Sequence, residues 1–196
     1  MKHQGPSKFS GKTWTVLCFR TWEELVLFQF TFVSLKIEGG LTEQVDCDEF
    51  IITGEVRIFQ ATIIDDVYQH SLQIFEDMTT HVLRLNASVW EGPHRYAPVW
   101  TAFINTKQAQ SKGWIHRKGR RRVLLHDIQP YVFCADYHPE RMRQNIYNAF
   151  EIEFDTEEGL RYFREIFPVP APTAAVSNPN ESTGSTRDAK PAKAFK

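Results

Sequence analysis

Apolar and polar positions alternate in short runs from about residue 54 onward, and the last run gives way to a different period. Residues 82–90 are the clearest case. Leu83, Leu85, Ala87 and Val89 fall on one face and Arg84, Asn86 and Ser88 on the other, which predicts a strand with one buried side. Arg57–Ile64 and Ser71–Phe75 predict a hairpin around a turn that holds Asp65, Asp66, Tyr68 and Gln69; Val99–Ile104 predicts the next strand, after the Gly92-Pro93 break. Trp114–Arg117 and Arg122–Leu125 flank Lys118-Gly119, where glycine can supply the positive φ of a hairpin turn, and Tyr131–Cys134 follows Pro130. Phe150-Glu151-Ile152-Glu153-Phe154 predicts the final strand. A helix follows at once, with Leu160, Phe163 and Phe167 on one face and Ile166 beside them. Asp155 stands at its cap with Glu158 three residues on, and Pro168 and Pro170 end it.

The N-terminal quarter reads differently. Residues 1–12 carry the breakers Gly5, Pro6, Ser7, Ser10 and Gly11 and predict a loose lead-in; Thr13–Phe19 is a candidate strand. Thr21-Trp22-Glu23-Glu24 has the capping-box pattern and predicts a helix over Trp22–Lys36, ended by Gly39-Gly40, although Phe30, Thr31 and Val33 favour a strand. The expected division is a lead-in (1–12), an N-terminal extension packed on the domain (13–53), a β domain (54–167) and a tail (168–196). The tail is built of Pro, Ala, Ser, Thr and Asn, with too little apolar surface to offset ordering entropy, and is expected to be disordered.

Composition sharpens this in three ways. With 196 residues, 42% hydrophobic and 13% aromatic, the chain can bury a core without metals or disulfides and leans towards β structure. A formal net charge of −1 gives no global attraction to nucleic acid or anionic membrane, so any such attraction is local. Cys18, Cys47 and Cys134 are too few and too odd for a disulfide framework. The polar N-terminus lacks the apolar core of a signal peptide, and the apolar stretch Leu25–Leu35 is too short to span a bilayer and is interrupted by Gln29, Thr31 and Ser34. The expectation is an intracellular protein, cytoplasmic or nuclear, with reduced thiols. Asn86-Ala87-Ser88 and Asn180-Glu181-Ser182 are then chance matches to the glycosylation pattern.

About seven strands followed by one helix between residues 54 and 167, with Phe150–Phe154 leading into Leu160, Phe163 and Phe167, resembles the pleckstrin-homology-like superfold. The resemblance implies a mainly β protein: a bent antiparallel barrel closed at one corner by a C-terminal helix. Trp22-Glu23-Glu24-Leu25, Ile63-Ile64-Asp65-Asp66 and Pro98–Phe103 are also similar to filamentous-fungal proteins, a likeness that carries no function. Phosphoinositide-binding members of the superfold carry Lys and Arg around the loop between their first two strands. Here that loop holds Asp65 and Asp66, with Arg57 far back along the strand, so the usual headgroup pocket is not expected.

The sharpest chemical cluster is His116-Arg117-Lys118-Gly119-Arg120-Arg121-Arg122. Arg117, Lys118, Arg120, Arg121 and Arg122 could hold an anion, because side chains at a hairpin tip converge and Arg offers forked donors. The same run fits a nuclear-import signal or a solvated tip that guards against edge aggregation. Cys134, Asp136 and His138 lie on alternate positions, but a zinc site needs four ligands and no second pair is present; Cys134 reads as a structural thiol. His70 near Asp65 and Asp66 reads as part of a polar turn, and Trp90, Trp100 and Trp114 as core. There is no Gly-rich phosphate loop, HExxH or GxSxG, so no catalytic residue, metal or cofactor is expected. The functional expectation is a non-catalytic binding or adaptor domain for a protein or peptide partner. The alternative is an anion-binding module for acidic lipid, phosphopeptide or nucleic acid acting through residues 116–122. In this fold class, the resemblance implies, peptides often pair with an exposed strand edge beside the C-terminal helix.

Overall fold

The computed structural model describes residues 15–38, 47–65, 67–92, 94–111, 113–142 and 149–167. The expected lead-in (1–12) and tail (168–196) lie outside them, as does Asp66 in the first hairpin turn. Helix α1 (Trp22–Glu38) comes first, and a 3-10 turn covers Cys47–Phe50. β1 (Glu55–Asp65), β2 (Tyr68–Asp77), β3 (Leu83–Val89) and β4 (Pro98–Ile104) then form an antiparallel meander. A short helix α2 (Thr106–Gln110) leads to the hairpin β5 (Ile115–Lys118) and β6 (Arg122–Leu125). The two-residue strand β7 (Tyr131–Val132), β8 (Phe150–Phe154) and helix α3 (Glu157–Ile166) complete the described chain.

The strands form one antiparallel sheet in the order β5-β6-β8-β1-β2-β3-β4-β7, curled into a half-barrel with α3 at its open corner. The first strand makes the curl possible. β1 pairs along its length with β2, while Ile63 and Ile64 near its end pair with Phe154 and Glu153 of β8, so one long strand serves both halves. The inner faces meet in the main core: Leu72, Ile74, Leu85, Ala87, Trp100, Ala102 and Ile104 from the meander, and Val123, Leu125, Phe150, Ile152 and Phe154 from the other half. Gly119 has φ 79°, the left-handed conformation expected of the β5–β6 turn.

Leu160, Phe163 and Phe167 point into this core as the sequence pattern predicts. The Phe163 ring lies 5.7 Å from Phe59, 5.3 Å from Phe154 and 5.3 Å from Phe167; Phe167 meets Trp114 edge-on at 4.9 Å. Gly159 lets the helix come this close, since a Cβ there would stand 3.3 Å from the Phe154 ring and 3.4 Å from Ala61. The helix cap is Thr156, whose Oγ1 accepts from the Gly159 N–H at 3.1 Å, and not the expected Asp155. Asp155 is still tied to the sheet, its N–H donating to the Thr62 carbonyl at 3.0 Å, so the helix can begin only one residue later.

Two other expectations are corrected. Residues 15–19 form no strand: Val16 and Leu17 are exposed, and the sheet offers them no neighbour. The polar face of β3 is not solvated either. Arg84, Asn86 and Ser88 are buried, and so are Ser71 and Gln73 of β2 beside them. Asn86 donates to Gln73 at 3.4 Å and Thr101 to the Leu85 carbonyl at 2.7 Å.

Helix α1 lies on this second face of the sheet. Its start has half of the expected capping box: the Glu24 N–H donates to Thr21 Oγ1 at 3.2 Å, while the Glu24 carboxylate reaches past the cap and accepts from the Arg20 N–H at 2.9 Å. Val26, Phe30 and Val33 pack with Phe50 and Ile52 and against Ala97, Phe103 and Phe133 in a second core. Arg84 is enclosed there, its guanidinium 4.7 Å from the Phe30 ring and 4.4 Å from the Phe75 ring, and it pairs two-pronged with Glu55.

The β2–β3 turn carries a titrating contact. Asp77 accepts from the Thr80 N–H at 2.8 Å and from the Thr80 hydroxyl. Burial works against its charge, but the hydrogen bonds from Thr80 and Thr79 and the nearby His81 outweigh that and hold the carboxyl below its usual value. Ionised Asp77 therefore stabilises the fold above the unfolded value of 3.8, and this contribution is lost as pH falls through the lowered folded value. Chemical denaturation followed from about pH 5 to about pH 2 should show a shallower acid limb in Asp77→Asn than in the parent. Equal limbs would remove Asp77 from the acid response. Phe163→Ala should cost on the order of 3–5 kcal/mol in the same measurement; a loss below about 1 kcal/mol, typical of surface sites, would contradict a closing role for α3.

Candidate binding site

The five cations of the β5–β6 turn are gathered at one tip, as the sequence suggests, but most of them already face carboxylates. Arg117 Nη2 donates to Glu157 at 2.9 Å, and its Nε to the Gly119 carbonyl at 2.7 Å. Lys118 Nζ reaches Glu151 at 2.7 Å; Arg121 and Arg122 reach Glu153 at 2.9 and 2.8 Å, and Arg122 also stands 3.5 Å from Glu151. Arg120 alone among the five has no carboxylate partner among the described residues. The acids opposite come from β8 and the start of α3, which lie next to β6 in the sheet order. Glu151 is 3% exposed, so the strand alternation that suggested a solvated acid hid a buried one. The register Arg122↔Glu153 and Leu124↔Glu151 explains why these charges meet.

A groove of about 550 Å³ lies beside this turn, bordered by Arg117 and by Glu157, Leu160, Arg161 and Arg164 of α3. Its walls are set at two points. Trp114, just before β5, packs against Phe167 at the end of α3, and Arg117 of β5 pairs with Glu157 at the beginning, so helix and strand run side by side in opposite directions. β5 is also the end of the sheet. The Trp114 carbonyl accepts from the His126 N–H at 2.7 Å, so residues 114, 116 and 118 turn their backbone groups to β6, and Ile115 and Arg117 turn theirs outward. Among the described residues these outward groups have no backbone partner, and Arg117 borders the groove. Sequence reasoning named Arg117 for its charge; the strand edge it belongs to becomes visible only with the sheet order.

The other candidates disperse. Cys134 packs against the main core, Asp136 is exposed and His138 sits 3.4 Å from Glu140, so no Cys–His pair forms. Among the described residues no cluster of three His, Cys, Asp or Glu could hold a metal ion. Asp65, read as a turn residue, is 1% exposed and accepts hydrogen bonds from the Trp100 indole and, at 3.1 Å, from the Tyr137 hydroxyl, with His70 Nδ1 3.7 Å away. It anchors the end of β1 inside the fold. Trp100 and Trp114 are core, whereas Trp90 is half-buried and lines a shallow cleft with Tyr68, His70 and Glu91. That cleft lies between the β1–β2 and β3–β4 ends and has no Lys or Arg in its lining.

A sheet closed at its corner by a C-terminal helix is the architecture of pleckstrin-homology domains. The model of the family described as "PH domain found in tandem in fungal proteins" matches residues 56–171, and a companion model of the same description, for the N-terminal member of the tandem, matches residues 1–53. The chain belongs to this family of fungal tandem PH domains. No curated protein and no solved structure matches it. PH domains are binding modules for lipids or proteins, and no described helix is long and apolar enough to cross a membrane.

The buried Glu151 makes the cations of the turn unequal. Lys118→Met strips Glu151 of its nearest partner and should cost about 1–3 kcal/mol, whereas Arg120→Ser should stay within about 0.5 kcal/mol. Urea denaturation of the two variants checks the order; equal losses would mean that the Lys118–Glu151 contact is no more than a surface pair.

Proposed function

We propose that this PH domain is a non-catalytic adaptor element of the cytosol or nucleus that takes an extended segment of a protein partner as an added strand on the edge of β5, beside α3. The observation that carries the reading is the outward pair of backbone groups at Ile115 and Arg117, next to a helix fixed alongside by Trp114–Phe167 and Arg117–Glu157. Main-chain hydrogen bonds would supply affinity, and the mixed-charge wall of Arg161, Arg164 and Glu158 would select side chains. The opposite end of the sheet is β7, only two residues long and a poor template.

A second reading assigns Arg117, Lys118, Arg120, Arg121 and Arg122 to an anionic partner: acidic lipid, phosphopeptide or nucleic acid. It is favoured by Arg120 at the exposed tip, which has no carboxylate partner among the described residues, and it requires the partner to compete with Glu151, Glu153 and Glu157 for the other four cations.

A peptide selected from a random library by the purified chain separates the two. On the first reading Arg117→Pro, which removes an outward N–H, should abolish binding, Arg117→Ala should retain most of it, and affinity should change little with salt. Replacing Arg120, Arg121 and Arg122 together by Ser should leave that peptide bound. Binding that survives Arg117→Pro, or that collapses with added salt and with the triple replacement, would reject the strand-edge reading in favour of the anionic one.

A further inference from the structure

Helix α1 is apolar on two opposite sides. Val26, Phe30, Val33 and Ile37 recur at i, i+4, i+7 and i+11 and face the second core, the first three fully buried. Phe28, Phe32 and Leu35 recur at i, i+4 and i+7, about half a turn round the helix from them, and are 42%, 54% and 60% exposed. The Phe28 and Phe32 rings stack at 6.2 Å, and the Phe19 ring lies 5.2 Å from Phe28, so the outer face is a continuous aromatic ridge. α3 shows what a one-sided helix looks like in this protein: Leu160 and Phe163 are buried, while Arg161, Arg164 and Glu165 face solvent. A second apolar side on a helix, opposite its core face, calls for a second cover.

The family match is the second, independent observation. α1 lies inside the segment matched to the N-terminal member of the tandem and outside residues 56–171. The C-terminal domain ends in a helix that closes its own sheet with Leu160, Phe163 and Phe167, at i, i+3 and i+7. Phe28, Phe32 and Leu35 offer the same kind of stripe.

We propose that α1 is the closing helix of the N-terminal PH domain of the tandem. Phe28, Phe32 and Leu35 plug the aliphatic and aromatic corner of that domain's antiparallel sheet, while Val26, Phe30 and Val33 hold the same helix against the C-terminal domain. One helix is then shared by two cores, which fixes the two domains to each other. Two other occupants fit less well. A second copy of the chain has its own corner already filled by α3. An anionic membrane would be repelled by Glu23 and Glu24, which outnumber Lys36 on the helix.

The test mixes the 196-residue chain with the N-terminal PH domain of a fungal tandem protein cut just before its last helix. A peptide of that domain's own last helix serves as the positive control for its competence. Sedimentation should show a one-to-one complex with slowed amide exchange along α1, and replacing Phe28, Phe32 and Leu35 together by Ser should abolish it. Because these side chains are exposed here, the variant should keep its melting temperature within a few degrees. If it does not, Phe32→Ser alone should weaken the complex at least tenfold with the fold intact. The proposal is overturned by no complex when the control peptide binds, or by a complex indifferent to these replacements. It is equally overturned by a discrete homodimer that the cut domain does not displace, or by ridge-dependent binding to phosphatidylserine vesicles in its place.

Discussion

Arg84 and Glu55 hold together the two parts of the structure that share least in sequence pattern. Arg84 is completely buried, stacked between Phe30 of α1 and Phe75 of β2, and its two-pronged pair with Glu55 ties β3 to the start of β1. Burial pushes the Glu55 carboxyl up and the Arg84 guanidinium down; hydrogen bonding and mutual attraction oppose both shifts. A pair so placed is weak grounds for net stability, because desolvation consumes most of what attraction returns. Its consequence is positional. A bare guanidinium under α1 would be prohibitive, so the helix docks only in the rotation that sets Phe30 over Arg84, and that rotation turns Phe28 and Phe32 outward.

The same economy of position governs the half-barrel's other end. The sheet curls but does not close, so it keeps two edges. At one, β7 is too short to be a template; at the other, β5 is propped open by the basic turn. Lys118, Arg121 and Arg122 clasp Glu151 and Glu153 across β6 and β8, and Arg117 clasps Glu157. These contacts fix the hairpin against α3 and thereby set the width of the groove. Four of the five cations thus act as a brace whether or not an anion ever meets Arg120.

Much of this was legible in the chain. Strands at 57–64, 99–104, 122–125 and 150–154, the helix from Trp22, the glycine turn at Gly119 and the closing face Leu160–Phe163–Phe167 all follow from periodicity and turn chemistry. The PH-like class rested on the resemblance of that strand run and closing helix to a known superfold, and the family match bears it out. What was not legible depends on what covers what. The alternation of β3 marks two faces correctly but cannot say that α1 shields the Arg84 side. The acids of β8 look solvated until the sheet order sets them opposite Lys118 and Arg122. The cap at Thr156 depends on a hydrogen bond from Asp155 to Thr62, almost a hundred residues away in sequence. The groove beside α3 is the same kind of case: Arg117 was singled out for its charge, while its outward N–H is a fact of pairing and not of composition.

The two helices together show how far one-sidedness can be used as a diagnostic. α3 buries Phe163 and exposes arginines, and everything it touches is accounted for within the half-barrel. α1 begins with a Thr21 cap, buries Phe30 as completely as α3 buries Phe163, and still leaves a phenyl ridge in water. Propensity does not require that ridge: Phe28 and Phe32 could be Lys or Glu, better helix formers that cost nothing to expose. Phenyl groups on a helix that gains nothing from them locally are a constraint from outside the half-barrel. Together with the match of this segment to the tandem's N-terminal member, they make the helix a joint between two domains and not an appendage of one.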